Sequence, residues 1–351
     1  MFVNALFMAK LAKRRIPLVA ILGVTNRCNL KCWYCYGEHP YRGDCREFTT
    51  EELLEIVRKL YQLGTQILQL QGGEPLLRND LKAIIAEAHR LGMVCDMVTN
   101  GTLIPQKEEI IRLLDRICIS LDGPARVNDR NRGEGSHAKI IEGIKLARSY
   151  GLSVRISSVL VPETTEEDID WLVNFARQNN LLLNFSPSFN FTANFNPGEF
   201  QPHVISEDKL REIFRYLKQL KLKNAPIQFS AAGYEIARRW PFTYEKRMAT
   251  QDEFPVNFHH PKCYHGDYTV FIDSDGSVYP CCNFWGRPQW NIRKDGLEKS
   301  IKGLSRHSCR ACYIPAYIDR NLLFSGRPGA WGNYIIQNLK DLIWTKRSGI
   351  N

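Results

Sequence analysis

Three cysteines lie close together in the N-terminal part of the chain, in the segment Cys28-Asn-Leu-Lys-Cys32-Trp-Tyr-Cys35. Thiolates at the spacing C-x3-C-x2-C can hold three corners of a cubane iron–sulfur cluster. The fourth iron of such a cluster would have no protein ligand from this loop, and an iron with an open coordination position is a reactive centre. The alternative interpretation is half of a zinc site or a group of buried thiols.

A second group of four cysteines is distributed over the last third of the chain and comprises Cys263, Cys281, Cys309 and Cys312. The last two form a CxxC pair, and Cys282 is either an alternative ligand or a bystander. This spacing alone also allows a structural zinc ribbon. Cys45 has no assignable partner, whereas Cys95 and Cys118 fall in predicted strands and are expected to be core residues.

The composition is that of an ordinary globular protein, with 351 residues, of which 44% are hydrophobic and 24% charged. The net charge of +10 favours an acidic partner, anionic lipid or simply solubility, and no RNA- or DNA-binding signature accompanies it. The first basic residues follow an apolar stretch, which is the reverse of a secretory signal. No apolar run reaches the roughly 18 residues of a spanning helix. The cysteines are therefore expected to be metal ligands in a reducing cytoplasm.

Both ends of the chain combine apolar and basic residues. Residues 1–15 include Phe2, Phe7 and Leu11 and end in a basic cluster, so they could form a helix on a membrane surface. A helix that packs against the protein itself is the alternative. Residues 331–351 predict a C-terminal amphipathic helix. A cytoplasmic protein with a peripheral membrane contact is therefore one hypothesis for this chain.

From residue 16 onward, short apolar runs alternate with helical patterns and predict six strands: Leu18–Val24, Ile67–Leu70, Val94–Val98, Ile117–Leu121, Val154–Leu160 and Leu181–Phe185. Capping boxes at Thr49-x-x-Glu52 and Thr164-x-x-Glu167 predict the starts of two helices. Six strand–helix units imply a parallel sheet with right-handed crossovers, and thus an α/β fold. A closed barrel would need two more units, so we expect a partial (β/α)6 TIM-like barrel with a small C-terminal β-hairpin/helix extension. The turn of the hairpin is predicted at Asp273-Ser-Asp-Gly276 by its Asp-Gly pair.

Every polar motif in this region directly follows a predicted strand: the cysteine loop, Gly72-Gly73-Glu74-Pro75, Thr99-Asn100-Gly101 and Asp122 in the segment Ser120-Leu-Asp122-Gly-Pro124. The carboxyl ends of parallel strands carry the active sites of barrel enzymes. Motifs that are far apart in the sequence are therefore expected on one rim. The segment 183–200, which is rich in Phe and Asn, could line a substrate pocket there or plug the barrel edge.

In this order, the motifs resemble those of the radical S-adenosylmethionine (radical SAM) superfamily, over about residues 16–190. The resemblance implies that Cys28, Cys32 and Cys35 ligate a [4Fe–4S] cluster whose open iron chelates S-adenosylmethionine. In such an enzyme, one electron cleaves the sulfonium C–S bond, and the 5′-deoxyadenosyl radical abstracts hydrogen from the substrate. The expected electron donor is a flavodoxin- or ferredoxin-like protein.

The resemblance further implies the residues that contact the cofactor: Tyr34, Gly72, Gly73, Glu74, Pro75, Asn100, Ser120, Asp122 and Arg155. The two glycines would let the backbone approach closely, and Glu74 would face the methionine ammonium. Tyr34 would lie near the adenine, and the polar residues after strands three and four would contact ribose or carboxylate groups. Arg155 would either pair with the methionine carboxylate or have a structural role. No other catalytic residue is assigned.

The C-terminal cysteines resemble the SPASM or twitch module, which binds auxiliary clusters in radical SAM enzymes. The cysteines end at Cys312, which favours the shorter twitch form with one auxiliary [4Fe–4S] cluster, held by Cys263, Cys281, Cys309 and Cys312. Four thiolates would saturate this cluster, so it would transfer electrons rather than bind substrate. The expected organisation is a helix, the barrel, the twitch-like domain and the tail, over residues 1–15, 16–225, 226–330 and 331–351.

Three substrate classes stay open: a peptide or protein side chain, a small molecule, and a lipid. The competing hypothesis is a non-catalytic metal-binding module with one iron–sulfur cluster and a structural zinc ribbon. The intact cysteine triad and the Gly72–Pro75 motif argue against that module.

Overall fold

The structure is a computed structural model that describes residues 2–12, 14–35, 46–188, 204–304 and 309–335. The expectations for Cys45, for most of the segment 183–200 and for most of the C-terminal tail concern residues outside these ranges. Within the described ranges, no helix is long and apolar enough to cross a membrane.

The described residues contain eleven strands: β1 (Val19–Thr25), β2 (Ile67–Gly72), β3 (Val94–Thr99), β4 (Arg116–Ser120), β5 (Ser153–Leu160), β6 (Leu182–Pro187), β7 (Met248–Ala249), β8 (Thr269–Ile272), β9 (Ser277–Tyr279), β10 (Trp290–Asn291) and β11 (Ala311–Cys312). Nine of them form one sheet in the order β10-β9-β8-β1-β2-β3-β4-β5-β6, and β7 pairs with β11. The strands β1 to β6 are parallel neighbours. The two edge strands of this sheet, β10 and β6, do not pair with each other within the described residues, so the barrel is open. The predicted partial barrel is therefore confirmed.

The helices of the described residues are α1 (Phe2–Leu11), α2 (Thr50–Gln62), α3 (Leu81–Arg90), α4 (Glu108–Ile111), α5 (Ala125–Arg132), α6 (Ser136–Ser149), α7 (Glu166–Gln178), α8 (Glu207–Leu222), α9 (Ala231–Arg238), α10 (Ile292–Asp295), α11 (Leu297–Leu304) and α12 (Pro315–Phe324). Helical spacing of apolar residues explains the packing of α2, whose Leu53, Ile56, Val57 and Leu60 form one buried face. Burying each such side chain contributes about 1.5–3 kcal/mol.

The start of α2 is confirmed, because Thr49 and Glu52 form a complete capping box. The second predicted capping box is wrong by one residue: the N-cap of α7 is Thr165 rather than Thr164. The Thr164 hydroxyl instead accepts a hydrogen bond from the Val161 N–H at 2.9 Å and caps the preceding turn.

The short helix α5 was not predicted, because its sequence has almost no apolar residues. Its buried side chains are Val127 and three polar ones, Asn128, Asn131 and Arg132. Apolar periodicity cannot reveal a helix of this kind. Its buried polar face contacts Asp122, directly after β4.

The predicted hairpin between β8 and β9 is confirmed. Its turn places Gly276 at φ +90°, and the Asp273 N–H donates to the Ser277 carbonyl at 2.8 Å. The hairpin also extends the barrel sheet, because β8 pairs in parallel with β1. The cysteines that follow β9 are therefore attached to the same sheet as the N-terminal cysteine loop.

One face of α1 packs against the protein, as the second of the two hypotheses for residues 1–15 states. Leu6 and Ala9 are buried in a cluster with Tyr268 and Phe324. Four large apolar side chains of the same helix are exposed: Val3, Phe7, Met8 and Leu11.

Candidate functional site

The cysteine loop leaves the carboxyl end of β1 and presents three thiols at one rim of the barrel. Cys28 is exposed, Cys35 is half-buried and Cys32 is buried. The Cys35 N–H donates to the Cys32 carbonyl at 2.9 Å, so a tight turn links the last two thiols. Burial raises the pKa of Cys32 to about 12, Arg132 opposes this shift, and the thiols of Cys35 and Cys28 add to it. The three thiols are thus close enough to interact electrostatically, and metal binding would displace their protons.

The Gly72–Pro75 motif is hydrogen-bonded to the backbone that leads into the cysteine loop. The Gly73 N–H donates to the Thr25 carbonyl and the Glu74 N–H to the Arg27 carbonyl, both at 2.8 Å. A Cβ atom at Gly72 would lie 2.2 Å from the Thr25 carbonyl oxygen, and one at Gly73 would lie 2.2 Å from that of Arg27. The close approach that glycine permits here is made to the chain's own backbone.

The carboxylate of Glu74 is fully buried and joins three segments of the rim. It accepts hydrogen bonds from the Leu76 N–H at 3.0 Å, the Thr99 hydroxyl at 2.8 Å and the Asn100 N–H at 2.7 Å. Burial raises the pKa of Glu74 to about 7, although these hydrogen bonds oppose the shift. Glu74 also caps the short turn that begins at Pro75. The contact of Glu74 with a methionine ammonium stays a prediction.

Asn100 connects the loop after β3 with the first cysteine. Its side-chain amide nitrogen lies 2.9 Å from the Asn29 side-chain oxygen and 3.8 Å from Cys28 Sγ. Its side-chain oxygen accepts from the Thr102 N–H at 2.9 Å and from the Thr102 hydroxyl at 2.7 Å. The amide is therefore held as a donor toward Cys28, and Thr102 has a positioning role that the sequence motif did not reveal.

Asp122 is the centre of a second buried network on the rim. The Tyr34 hydroxyl donates to Asp122 Oδ2 at 2.5 Å, and the Val159 N–H donates to Oδ1 at 3.0 Å. The Arg132 guanidinium binds both oxygens, at 3.0 and 2.8 Å. A ribose contact at Asp122 would have to replace one of these hydrogen bonds, and it stays a prediction.

Arg132 is the functional candidate that sequence reasoning missed. Its side chain is 6% exposed and that of Asp122 is not exposed. Burial alone would lower the pKa of the guanidinium, but Asp122, Tyr34 and Cys32 raise it overall. A permanently charged arginine therefore lies beside the buried thiol of the triad. The one feature of the sequence that could have pointed to Arg132 was the unusually polar composition of α5.

The two remaining predicted cofactor residues occupy different depths of the barrel. Ser120 is the last residue of β4 and lies in register with Ser157 on β5. Arg155 lies two residues before Ser157, inside the barrel, and forms a salt bridge with Asp96 on β3. This ion pair is consistent with the structural alternative for Arg155. The contact of either residue with S-adenosylmethionine stays a prediction.

The C-terminal cysteines come together beneath the β8–β9 hairpin. Burial raises the pKa of Cys281 well above its usual range, and four neighbouring thiols raise it further, those of Cys282, Cys309, Cys263 and Cys312. The Cys282 thiol accepts a hydrogen bond from the Tyr317 hydroxyl at 3.0 Å, and the Cys263 thiol has hydrogen bonds to Asn321 and the His265 backbone. The His260 ring lies 2.8 Å from the Cys312 carbonyl and so braces this site from outside.

In the described part of the chain, neither cysteine group contains three sulfur atoms that all lie within 4.8 Å of one another. The choice between an iron–sulfur cluster and a zinc ion at the C-terminal cysteines stays a prediction.

One other group of potential ligands meets the 4.8 Å spacing among the described residues, and it comprises His89, Cys95 and Asp115. Asp115 already accepts from the Cys95 N–H at 2.7 Å and lies 3.0 Å from the His89 ring. Cys95 itself is fully buried, as expected for a core residue, and so is Cys118 at 5% exposure. The group lies at the amino end of β3, away from the rim.

The profile of the Radical SAM superfamily matches residues 22–176, which contain the cysteine loop and every rim motif described above. Residues 22–176 therefore form a domain of the radical SAM superfamily. A relative, the probable GTP 3′,8-cyclase of Methanocella arvoryzae, is 35% identical over 189 residues, which are 52% of this chain and 60% of that protein. The AdoMet-dependent heme synthase of Oleidesulfovibrio alaskensis is 27% identical over 270 residues, 74% of this chain and 68% of that protein.

The fold of this chain is similar to that of two solved structures of low sequence identity. Streptococcus suis SuiB bound to precursor peptide SuiA has a TM-score of 0.62 at 18% identity, covering 88% of this chain and 73% of that chain. Native anSMEcpe with bound AdoMet and the Kp18Cys peptide has a TM-score of 0.61 at 15% identity. The match covers 91% of this chain and 99% of that chain. At these identities, the likeness concerns the fold alone.

The donor atoms at the rim fit the cofactors of a radical SAM enzyme. Three thiols from one loop can bind three irons, and the Asn100 amide is held as a donor beside Cys28. The rim loops are tied to one another by buried hydrogen bonds, so the thiols are held in place before any cluster binds. Cys28, Cys32 and Cys35 are therefore the residues that would hold the [4Fe–4S] cluster.

Proposed function

We propose that this radical SAM enzyme abstracts a hydrogen atom from a small molecule bound inside the barrel. The observation that carries the proposal is the rim network, in which Glu74 and Asn100 connect three loops to the cysteine triad. When bound, a [4Fe–4S] cluster and S-adenosylmethionine supply the one-electron cleavage of a sulfonium C–S bond. The protein's part is to hold these groups in a fixed position above the barrel interior.

Different residues hold the cluster and position S-adenosylmethionine. Cys28, Cys32 and Cys35 hold the cluster, and the Gly72–Pro75 backbone forms the adjoining wall for the methionine part of the cofactor. Tyr34 is held by Asp122, which supports its placement near the adenine. Because Arg132 neutralises Asp122 and lies near Cys32, it is a positioning residue for both.

The C-terminal cysteines are proposed to hold one auxiliary [4Fe–4S] cluster, with Cys263, Cys281, Cys309 and Cys312 as ligands. The mutual proximity of these four thiols supports the proposal, because Cys263, Cys309 and Cys312 all raise the pKa of Cys281. A cluster that is saturated by four thiolates serves electron transfer. A flavodoxin- or ferredoxin-like protein would supply the electrons.

A cavity of about 370 Å³ inside the barrel supports a small-molecule substrate. This volume lies at the lower end of the range of roughly 300–1,000 Å³ that is typical of small-molecule sites. The peptides in the SuiB and anSMEcpe structures and the GTP in the names of the relatives provide the alternative substrates.

The test is the formation of 5′-deoxyadenosine by the cluster-loaded protein under anaerobic reduction with S-adenosylmethionine. We expect 5′-deoxyadenosine from the unaltered protein and none from Cys32→Ser. GTP and candidate small molecules are then added to find those that accelerate its formation. A fully loaded protein that forms no 5′-deoxyadenosine would rule out the proposed chemistry.

We also propose a peripheral membrane contact through α1. Val3, Phe7, Met8 and Leu11 are 43–64% exposed on this one helix. Lys10 belongs to the same helix and lies near Lys262, and Arg14 and Arg15 follow the helix in the chain, so positive charge accompanies this apolar face and complements an anionic lipid surface.

Sedimentation with vesicles of phosphatidylglycerol and of phosphatidylcholine tests this contact. We expect binding to the anionic vesicles that Phe7→Ser weakens severalfold. The matched control is Val256→Ser, because Val256 is 95% exposed and lies outside α1. Equal binding of the two variants, or none by the unaltered protein, would contradict the contact.

A further inference from the structure

The cavity inside the barrel has an excess of positive charge at its deep end. Three arginines and two aspartates line it: Arg116, Arg155, Arg320, Asp96 and Asp319. Their formal charges sum to +1. Arginine side chains in such a position are always ionised, so the cavity is built for an anion rather than for a neutral ligand.

The two aspartates are already engaged by the protein. Asp96 forms the salt bridge with Arg155. Asp319 accepts hydrogen bonds from the Ser230 N–H, at 3.1 Å, and from the Ser230 hydroxyl. Asp96 is thus shared between Arg155 and the third arginine, Arg320, and one positive charge of the three stays in excess.

Arg320 projects from α12 into this cavity, and its guanidinium lacks a complete set of partners. Its Nη1 atom is buried and has no hydrogen-bond partner within the described residues. Burial lowers the pKa of the guanidinium and the nearby Arg155 adds to this, whereas Tyr317 and Asp96 oppose the shift. A buried donor without a partner costs about 1–3 kcal/mol, so a ligand that satisfies it is strongly favoured.

We propose that Arg320 binds a carboxylate group of the substrate, with Arg155 beside it. This inference rests on the function proposed above, because it names the chemical class of the molecule that occupies the barrel. One carboxylate cancels the single excess charge. A phosphate monoester carries about −1.5 to −2 at pH 7, and a triphosphate carries still more, so both overcharge the site.

The depth of the arginine layer also orients the substrate. Arg155 precedes Ser157 by two residues on β5, and Ser157 is in register with the rim residue Ser120. Two residues of a strand span roughly 6.6 Å. A substrate anchored by its carboxylate at Arg155 and Arg320 would extend toward the rim, where its reacting carbon faces the cofactor site.

The test uses benzoate and benzamide, which have the same shape and differ in charge, with phenyl phosphate as the phosphate probe. Binding to the cluster-loaded protein is measured by calorimetry at constant ionic strength. We expect benzoate to bind at least about tenfold more tightly than benzamide and more tightly than phenyl phosphate. Arg320→Gln should abolish this preference, and Arg320→Lys should retain part of it, whereas Arg112→Gln at an exposed arginine should leave it unchanged.

Several results would overturn the inference. These are no binding of benzoate, equal binding of benzoate and benzamide by the unaltered protein, or a preference for phenyl phosphate. Competition between benzoate and S-adenosylmethionine would assign the carboxylate site to the cofactor instead of the substrate. None of these measurements requires cleavage of S-adenosylmethionine, so their outcome is independent of the 5′-deoxyadenosine test.

Discussion

The three cysteines at the barrel rim come from one loop of eight residues, whereas the four C-terminal cysteines come from three separate segments near β8, β9 and β11. The rim loop exposes Cys28 and surrounds the thiols with polar residues that hydrogen-bond to one another. The C-terminal group is mostly buried, and aromatic rings lie around it. The rim triad is therefore the more accessible of the two groups, and the C-terminal group is the more enclosed.

The surroundings of the two groups support this difference. Asn100 and Arg132 offer a donor and a positive charge to the rim triad. Around the C-terminal group, Tyr313 stacks edge-on against Tyr244 with ring centroids 4.6 Å apart, and Tyr317 contacts Cys282. The buried Arg247 also lies near Cys281 and Cys282, so both groups have a cation beside them and differ chiefly in exposure.

Replacing one cysteine in each group is expected to reveal the largest difference between the two sites. Cys32→Ser is expected to reduce 5′-deoxyadenosine formation to background, because it removes a ligand of the reactive cluster. Cys281→Ser is expected to lose about half of the bound iron while retaining 5′-deoxyadenosine formation, because the rim cluster stays intact. Iron analysis and anaerobic product assays measure both. Loss of 5′-deoxyadenosine in Cys281→Ser with a loaded rim cluster would contradict the assigned division of roles.

Removing the buried cation of the rim should have the next largest effect. Arg132→Met leaves Asp122 buried without its charged partner, and breaking such a pair costs about 3–5 kcal/mol. The control is Arg112→Met, because Arg112 pairs with Glu108 on the surface, where an ion pair contributes less than about 1 kcal/mol. Denaturant unfolding measures both. Similar losses in the two variants would show that Arg132 is not a buried anchor.

The close backbone contact at the rim predicts a smaller loss. Gly73→Ala would place its Cβ 2.2 Å from the Arg27 carbonyl oxygen, and such overpacking costs about 1–3 kcal/mol. In Gly329→Ala the new Cβ meets no atom within 4 Å, so we expect a change below about 0.5 kcal/mol. Thermal unfolding of the two variants measures this difference in stability. Equal stability of Gly73→Ala and Gly329→Ala would contradict the close contact between Gly73 and the Arg27 carbonyl.

The smallest effect is expected at Cys282, which is either a ligand of the auxiliary cluster or a bystander. Tyr317→Phe removes the hydrogen bond to the Cys282 thiol, which should cost about 0.5–1.5 kcal/mol. The iron content should not change if Cys282 is a bystander. Cys282→Ser serves as the matched variant. Iron loss in Cys282→Ser that equals the loss in Cys281→Ser would make Cys282 a cluster ligand.

Much of the fold could be predicted because it depends on local patterns. The strands β1 to β6 were predicted to within one or two residues, and the rim motifs follow them as expected. The capping box of α7 was displaced by one residue because Thr164 and Thr165 have the same chemistry, and only the turn at Val161 decides between them. The polar helix α5 could not be predicted, because its partner Asp122 is supplied by the loop after β4.

The sequence by itself determined the thiol spacing of the rim, the order of strands and helices, and hence the family. These properties depend on residues that are near one another in the chain. The tertiary structure alone decided that Gly73 approaches Arg27, that β8 joins β1, and that Arg320 of α12 lies beside Arg155 of β5. Such contacts join residues that are far apart in sequence, and they arise because folding packs distant elements against one sheet.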